Sequence, residues 1–291
     1  MIKEIQVKGI LNPVRQPDDW FGLKYNMNLY RGCQHRCIYC DSRSECYQIE
    51  NFDGEVLVKT NAVDLLAETL PRKRVKGTIG TGSMNDPYMP LENHFNLTGQ
   101  ALKVIADHHF PVHVLTKSDL VLRDLETLRR INQVFAAVSF TITTADDRLG
   151  KIVEPGAPRV SQRFAAMKTL SVDSIHTGVL LMPVLPYIED NPENLRAIFA
   201  LAAKNGAKYI LPSLGMSLRD RQRAYFYNKL DQNFPGTRAK YERRFGLRYF
   251  APANHYKELD ALLQELSQRY QIPLRMPVFS PEKKSKQLAL F

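Results

Sequence analysis

Between residues 27 and 214, short apolar runs alternate with amphipathic segments of helical length, and no other feature limits the fold as tightly. Strand-like runs fall at 27–30, 77–81, 112–116, 134–142, 175–182 and 208–211. Helical patterns lie between them, at 63–70 (apolar Val63, Leu65, Leu66 and Leu70, stopped by Pro71), 98–109, 119–130, 157–170 and 192–204. Asp119 stands near the N-cap of the third. Such alternation predicts a parallel sheet with right-handed crossovers. Six units are too few for a closed eight-unit barrel, so the expected fold class is α/β, a partial (β/α)6 barrel of the TIM type. Residues 1–26, with Pro13, Pro17 and the only tryptophan, Trp20, read as an irregular N-terminal arm. The barrel is expected over 27–215, a helical, basic C-terminal extension over 216–278 and a flexible tail over 279–291. Barrels of this kind gather their chemistry at the C-terminal ends of the strands. The segments predicted there are 33–40, 81–88, 116–118, 141–143 and 183–187.

At 291 residues and 44% hydrophobic content the chain can bury a sizeable core. No apolar run approaches the roughly 20 residues of a membrane span, and the N-terminus lacks the apolar centre of a signal peptide. Four cysteines, three of them clustered, do not make a disulfide framework. A reducing cytoplasm is the expected location. No internal repeat is visible.

The clustered cysteines lie in Tyr30-Arg31-Gly32-Cys33-Gln34-His35-Arg36-Cys37-Ile38-Tyr39-Cys40, spaced C-x3-C-x2-C. Thiolates so close repel one another unless something binds them, and soft sulfur suits zinc or an iron–sulfur cluster. Structural zinc takes four protein ligands, and His35 or Cys46 could supply the fourth. Three cysteines on a 4Fe-4S cluster would instead leave one iron open for chemistry. Gln34, His35 and Arg36 make the loop polar, which argues against inert core thiols. Cys46 is also readable as a free thiol.

The spacing, with Tyr39 before the last cysteine, resembles the signature of the radical S-adenosylmethionine (SAM) enzymes. The resemblance implies that Cys33, Cys37 and Cys40 hold a 4Fe-4S cluster whose open iron chelates SAM. A reducing electron donor then triggers release of a 5′-deoxyadenosyl radical, with Tyr39 close to the adenine. Asn28-Leu29-Tyr30-Arg31-Gly32-Cys33, the loop Met84-Asn85-Asp86-Pro87-Tyr88 with Pro90 and Glu92, and Glu154-Pro155 resemble the subgroup related to spore photoproduct lyase. Thr81, Gly82 and Ser83 stand where that family binds the cofactor's amino group through backbone, and small residues permit close approach. Ser139 and Thr141, two apart in a strand, share a face. By the resemblance their hydroxyls would contact the methionine carboxylate, and Arg163 on the next helix could pair with it bidentately. The structural alternatives are an ordinary glycine turn, hydroxyls bonded to neighbouring backbone, and a solvated guanidinium.

One departure separates the chain from the lyases it resembles. Those enzymes carry a cysteine in the fourth strand that gives a hydrogen atom to the product radical. Ser139 is the matched position, and no cysteine lies beyond Cys46. An O–H bond is too strong to replace a thiol there, so the lyase reaction itself is not implied unless Tyr39, Tyr88 or another tyrosine serves.

The formal charge is +10 and uneven. Residues 217–250 hold nine Lys or Arg against three Asp or Glu, a net +6, interleaved with Tyr225, Phe226, Tyr227, Phe234, Tyr241, Phe245, Tyr249 and Phe250. Cations neutralise phosphates and rings stack on exposed bases, so DNA is the expected partner. The alternative is an amphipathic cap with its aromatics inside. The C-terminal Gln287-Leu288-Ala289-Leu290-Phe291 resembles the bacterial sliding-clamp motif, with Leu290 and Phe291 as apolar anchors. The functional expectation is a radical SAM enzyme acting on DNA, in lesion repair or nucleobase modification. The alternatives are the same chemistry on a protein or small molecule, and a non-catalytic zinc or iron–sulfur protein that binds nucleic acid.

Overall fold

The computed structural model describes residues 1–15, 20–49 and 51–280. Four strands precede the cysteine loop: β1 (Ile2–Ile5), β2 (Leu11–Pro13), β3 (Tyr25–Met27) and β4 (Tyr30–Arg31). After it come β5 (Val56–Lys59), α1 (Ala62–Thr69), β6 (Ile79–Thr81), α2 (Glu92–Phe95), α3 (Leu97–Asp107) and β7 (Val112–Thr116). Then follow α4 (Leu125–Asn132), β8 (Ala136–Thr141), α5 (Asp147–Val153), α6 (Val160–Val172), β9 (His176–Leu181), α7 (Pro192–Lys204) and β10 (Tyr209–Pro212). The extension comprises β11 (Gly215–Ser217), α8 (Asp220–Asn233), α9 (Thr237–Phe245), β12 (Phe250–Pro252) and α10 (Tyr256–Tyr270).

The main sheet runs β10-β9-β8-β7-β6-β3-β2. All its pairings are parallel except that of β2 with β3. Its six parallel strands form the expected partial barrel. The sheet is buried on both faces. From β8 onward, Val138, Phe140 and Ile142 pack under the helices in the larger core, while Ala137 faces the concave side with Leu180, Tyr209 and Leu211. There the His113 Nε2 lies 2.7 Å from the Ser139 hydroxyl, which lies 2.8 Å from that of Tyr209. The Phe21 ring packs against His113, tilted by 40° with ring centroids 5.3 Å apart, plugging the barrel below the rim.

Among the described residues, the first 26 are not irregular throughout. β1 runs parallel to β5, with Ile2 opposite Val56, and β2 pairs antiparallel with β3, with Leu11 opposite Met27. The first barrel strand is therefore Tyr25–Met27, ahead of the expected 27–30. Pro13 argued against a strand, but β2 is the edge of its sheet, where a missing N–H breaks no ladder.

The extension divides its residues. Leu259, Leu262, Leu263 and Leu266 of α10 join the barrel core. Phe226, Tyr227, Tyr241 and Phe245 of α8 and α9 pack in one cluster with Cys37, Ile38 and Tyr39. Those four rings are buried and unavailable to nucleobases; Tyr249 and Phe250 are the exposed aromatics of the stretch. No described helix is long and apolar enough to cross a membrane. The clamp-like residues 287–291, with Leu290 and Phe291, lie outside the described residues.

Candidate active site

The chain turns from β4 into the cysteine loop at Gly32, whose φ is +90°. A Cβ there would meet the Glu55 carbonyl at 2.5 Å, so only glycine makes this turn. Three elements then fix the polar loop. The Ile38 N–H donates to the Val153 carbonyl (2.9 Å), the Gly156 N–H to that of His35 (2.8 Å), and the Leu91 N–H to the Gln34 side chain (2.7 Å).

The loop forms one wall of a cavity of about 530 Å³ at the C-terminal ends of the barrel strands. Cys33, Cys37, Tyr39 and Cys40 line it. Facing them are Gly82, Ser83, Asn85 and Asp86 after β6, Thr116 and Lys117 after β7, Thr141 of β8, and Met182 with Pro183 after β9. Met216, Ser217 and Phe250 of the extension close the remaining side. At Gly82, φ is +90° and a Cβ would meet the Leu115 carbonyl at 2.3 Å, so the backbone here stays bare toward the cavity. Thr81 is buried just before it, and its Oγ1 has no hydrogen-bond partner among the described residues. The Asn85 Oδ1 lacks one too.

Two expected residues are placed otherwise. Ser139 shares the inward face with Thr141 but lies one level deeper, fully buried between His113 and Tyr209. It does not line the cavity, so it offers neither a cofactor contact nor a hydrogen atom there. Arg163 is 1% exposed and faces inward from α6. Its donors go to the carbonyls of Thr141 (2.9 Å) and Pro158 (2.8 and 3.1 Å) and to the Glu154 carboxylate. It props the end of β8 from behind rather than reaching a bound carboxylate. Tyr88 is fully buried and donates to Asp124 (2.9 Å). Cys46 lies on the outer surface, where its sulfur accepts from Ser44 (3.3 Å) and Arg219 (3.1 Å).

Burial pushes all three loop thiols upward. Cys33 is raised to about 12, with Asp86 and Cys40 adding to the effect, and Cys37 and Cys40 also rise. Such a trio keeps its protons until a metal displaces them. Behind the thiols, the buried Glu154 carboxylate accepts from the Tyr39 hydroxyl and Arg163, and the Lys117 ammonium is 4.0 Å away. Burial works against the ionised form of Lys117, but the Glu154 and Asp86 carboxylates outweigh it and hold the ammonium charged. Burial likewise raises Asp86, yet His35, Thr116 and Lys117 prevail and leave it at about 2. Lys117 and Asn85 line the cavity beyond the residues expected as ligands. The signal for Lys117 was its place immediately after β7, inside a predicted rim segment.

Glu189 behaves oppositely. Fully buried, it accepts from the Thr143 hydroxyl (2.7 Å) and the Leu185 N–H (3.1 Å), yet burial lifts it from the usual 4.5 to about 8. Its neutral form is favoured on folding, so its contribution is fully present below pH 4.5 and lost as pH rises toward 8. The loss is on the order of 5 kcal/mol. Glu189→Gln is expected to match the wild type at pH 4.5 and to exceed its stability at pH 8.5, measured by urea unfolding. Parallel pH profiles for the two proteins would refute the assignment.

The family model described as "Radical SAM superfamily" matches residues 27–199, more than half of the chain. The uncharacterized protein MJ0683 of Methanocaldococcus jannaschii is 36% identical over 191 residues, 65% of this chain and 70% of that one. The uncharacterized protein Mb2609c of Mycobacterium bovis is 28% identical over 276 residues, 92% of this chain and 81% of that one. A "Radical SAM Nalpha-GlyT isomerase" of Pseudomonas phage M6 is 22% identical over 179 residues, 62% of this chain and 36% of that one. Among solved structures, a spore photoproduct lyase variant with bound AdoMet and dinucleoside spore photoproduct superposes with a TM-score of 0.70. It is 14% identical and covers 95% of this chain and 82% of its own. At that identity the likeness is one of fold.

Proposed function

The chain belongs to the radical SAM superfamily, and on that premise we propose that it is an iron–sulfur enzyme acting on DNA, in lesion repair or nucleobase modification. The observation that carries the reading is three thiols, buried Cys37 and half-buried Cys33 and Cys40, on one cavity wall. Among the described residues no three Cys, His, Asp or Glu side chains converge closely enough for a single metal ion to bridge them. A 4Fe-4S cluster, which takes one thiolate per iron, needs no such convergence. With S-adenosylmethionine bound and an electron donor present, it supplies a 5′-deoxyadenosyl radical. The chain's own residues have other tasks. The bare backbone at Gly82, between Ser83 and buried Thr81, admits a ligand closely, and the Asn85 Oδ1 stands ready to accept from an amino group. The Thr141 hydroxyl can donate to a carboxylate, and the Tyr39 ring offers a flat face.

DNA as substrate rests on the outer side of the extension. Arg219 pairs with Asp41, and Arg238 with Asp231 and Glu242. Arg221 and Arg223 donate to backbone carbonyls. Lys240, Arg243, Arg244 and Arg248 remain exposed, with no ion pair among the described residues. Like charges crowded on one face favour a polyanion. Replacing Arg243 and Arg244 together by Ala is expected to flatten the salt dependence of DNA affinity by roughly one to two units of slope. The direct test is anaerobic reconstitution and reduction with S-adenosylmethionine, with and without damaged DNA, while following 5′-deoxyadenosine. DNA-stimulated release supports the reading. One tightly held zinc and no iron would sink the cluster. Cleavage indifferent to DNA, from a protein that binds none at low salt, would turn the search to a peptide or metabolite.

A further inference from the structure

The contacts between α8 and the cysteine loop have a chemistry beyond packing. Gln222 is fully buried and makes two hydrogen bonds. Its Oε1 accepts from the Arg219 backbone N–H at 3.0 Å, which settles the amide's orientation, because a backbone N–H can only donate. Its Nε2 therefore faces the Tyr39 carbonyl and donates to it at 3.1 Å. Tyr39 lies between Cys37 and Cys40, and its hydroxyl is held by Glu154. The residue is pinned at both ends, by partners 115 and 183 positions away. The Cys40 N–H in turn donates to the Cys37 carbonyl (3.2 Å), so the peptide that Gln222 holds belongs to the turn joining two thiols.

Other contacts from the extension fall farther along the chain. Asp41 accepts from the Ser217 hydroxyl (2.6 Å) and pairs with Arg219 (3.1 Å). Asp220 accepts from the Ser44 hydroxyl (2.9 Å) and the Glu45 N–H (3.1 Å). Of these contacts, the one from Gln222 falls between the thiol-bearing residues. We propose that Gln222 is a positioning residue for the cluster, so that α8, outside the matched family segment, completes the site. The inference rests on the cluster reading above. A buried donor beside the ligand backbone fixes the direction of the thiolates and adds positive potential near the iron, two of the levers that set a cluster's reduction potential. Without it the Tyr39 carbonyl is a buried acceptor with no partner, which favours rearrangement of the turn.

The test uses the full chain, reconstituted anaerobically as wild type, Gln222→Met and Asp220→Ala. Gln222→Met keeps the side-chain length and removes the donor; Asp220→Ala loosens the same helix without touching the Cys37–Cys40 turn. Iron and sulfide content, the electron paramagnetic resonance spectrum of the reduced cluster, its midpoint potential and thermal unfolding are read together. Gln222→Met is expected to bind iron with an altered spectrum and a lower potential, and to lose its cluster several-fold faster in air. Asp220→Ala is expected to unfold at lower temperature with the wild-type spectrum and potential. If Gln222→Met does not fold, Gln222→Leu, which likewise removes the donor, is read the same way. A wild-type spectrum and potential in the Gln222 variant overturns this inference alone, and so does an equal shift in Asp220→Ala. A wild type that takes up no iron or sulfide overturns the cluster reading and this inference with it.

Discussion

Cys33→Ala, Cys37→Ala and Cys40→Ala proteins, each reconstituted anaerobically and reduced with S-adenosylmethionine, are expected to release no 5′-deoxyadenosine, whereas Cys46→Ala retains the activity. The three thiols share one cavity wall, and on the cluster reading the loss of any of them would leave a second iron without a protein ligand. Cys46 stands on the outer surface, engaged by Ser44 and Arg219, and its loss leaves the wall intact. The measurement is product by chromatography, with iron content as the parallel readout. Full activity in any of the three variants, or its abolition in Cys46→Ala, would reassign the ligands.

Glu154→Ala is expected to be the most destabilising single change in the site. It strands the Arg163 guanidinium, 1% exposed, with carbonyl acceptors but no counter-charge, and it removes the acceptor of the Tyr39 hydroxyl. Breaking a buried pair in this way costs roughly 3–5 kcal/mol. Burial alone would raise the Glu154 carboxyl, but Arg163 and Lys117 outweigh it and hold the group below the usual 4.5. Its stabilising contribution is therefore present above that value and lost as pH falls below it. Wild-type and variant urea midpoints should differ most at neutral pH and converge in acid. A difference under about 1 kcal/mol at pH 7 would show that Arg163 finds another partner.

The barrel was legible because its strands are buried on both faces and read as continuous apolar runs. The run expected at 134–142 contains β8, and that at 112–116 coincides with β7. The convergence of strand ends on one rim followed from the alternation alone. Depth along a strand did not. Period two puts Ser139 and Thr141 on one face, but whether a hydroxyl reaches the cavity depends on what fills the barrel beneath it. Here His113, Tyr209 and Phe21 fill it to the level of Ser139. Arg163 was misread for a related reason. A guanidinium on a helix is ordinarily solvated, and its buried partner Glu154 belongs to the preceding helix–loop junction, invisible to helical spacing. The aromatics of residues 217–250 carried no mark of which would be inside, since their burial is set by Ile38 and Tyr39, far away in sequence.

The distance between Tyr39 and Gln222 also has a consequence in time. Their hydrogen bond spans 183 positions, so the thiols leave the ribosome long before the helix that closes over them. At synthesis rates of 5–20 residues per second that interval is on the order of 10–40 s. Throughout it the loop lacks the wall formed by α8 and α9. On the cluster reading, the order of synthesis leaves the ligands accessible before their cover is made.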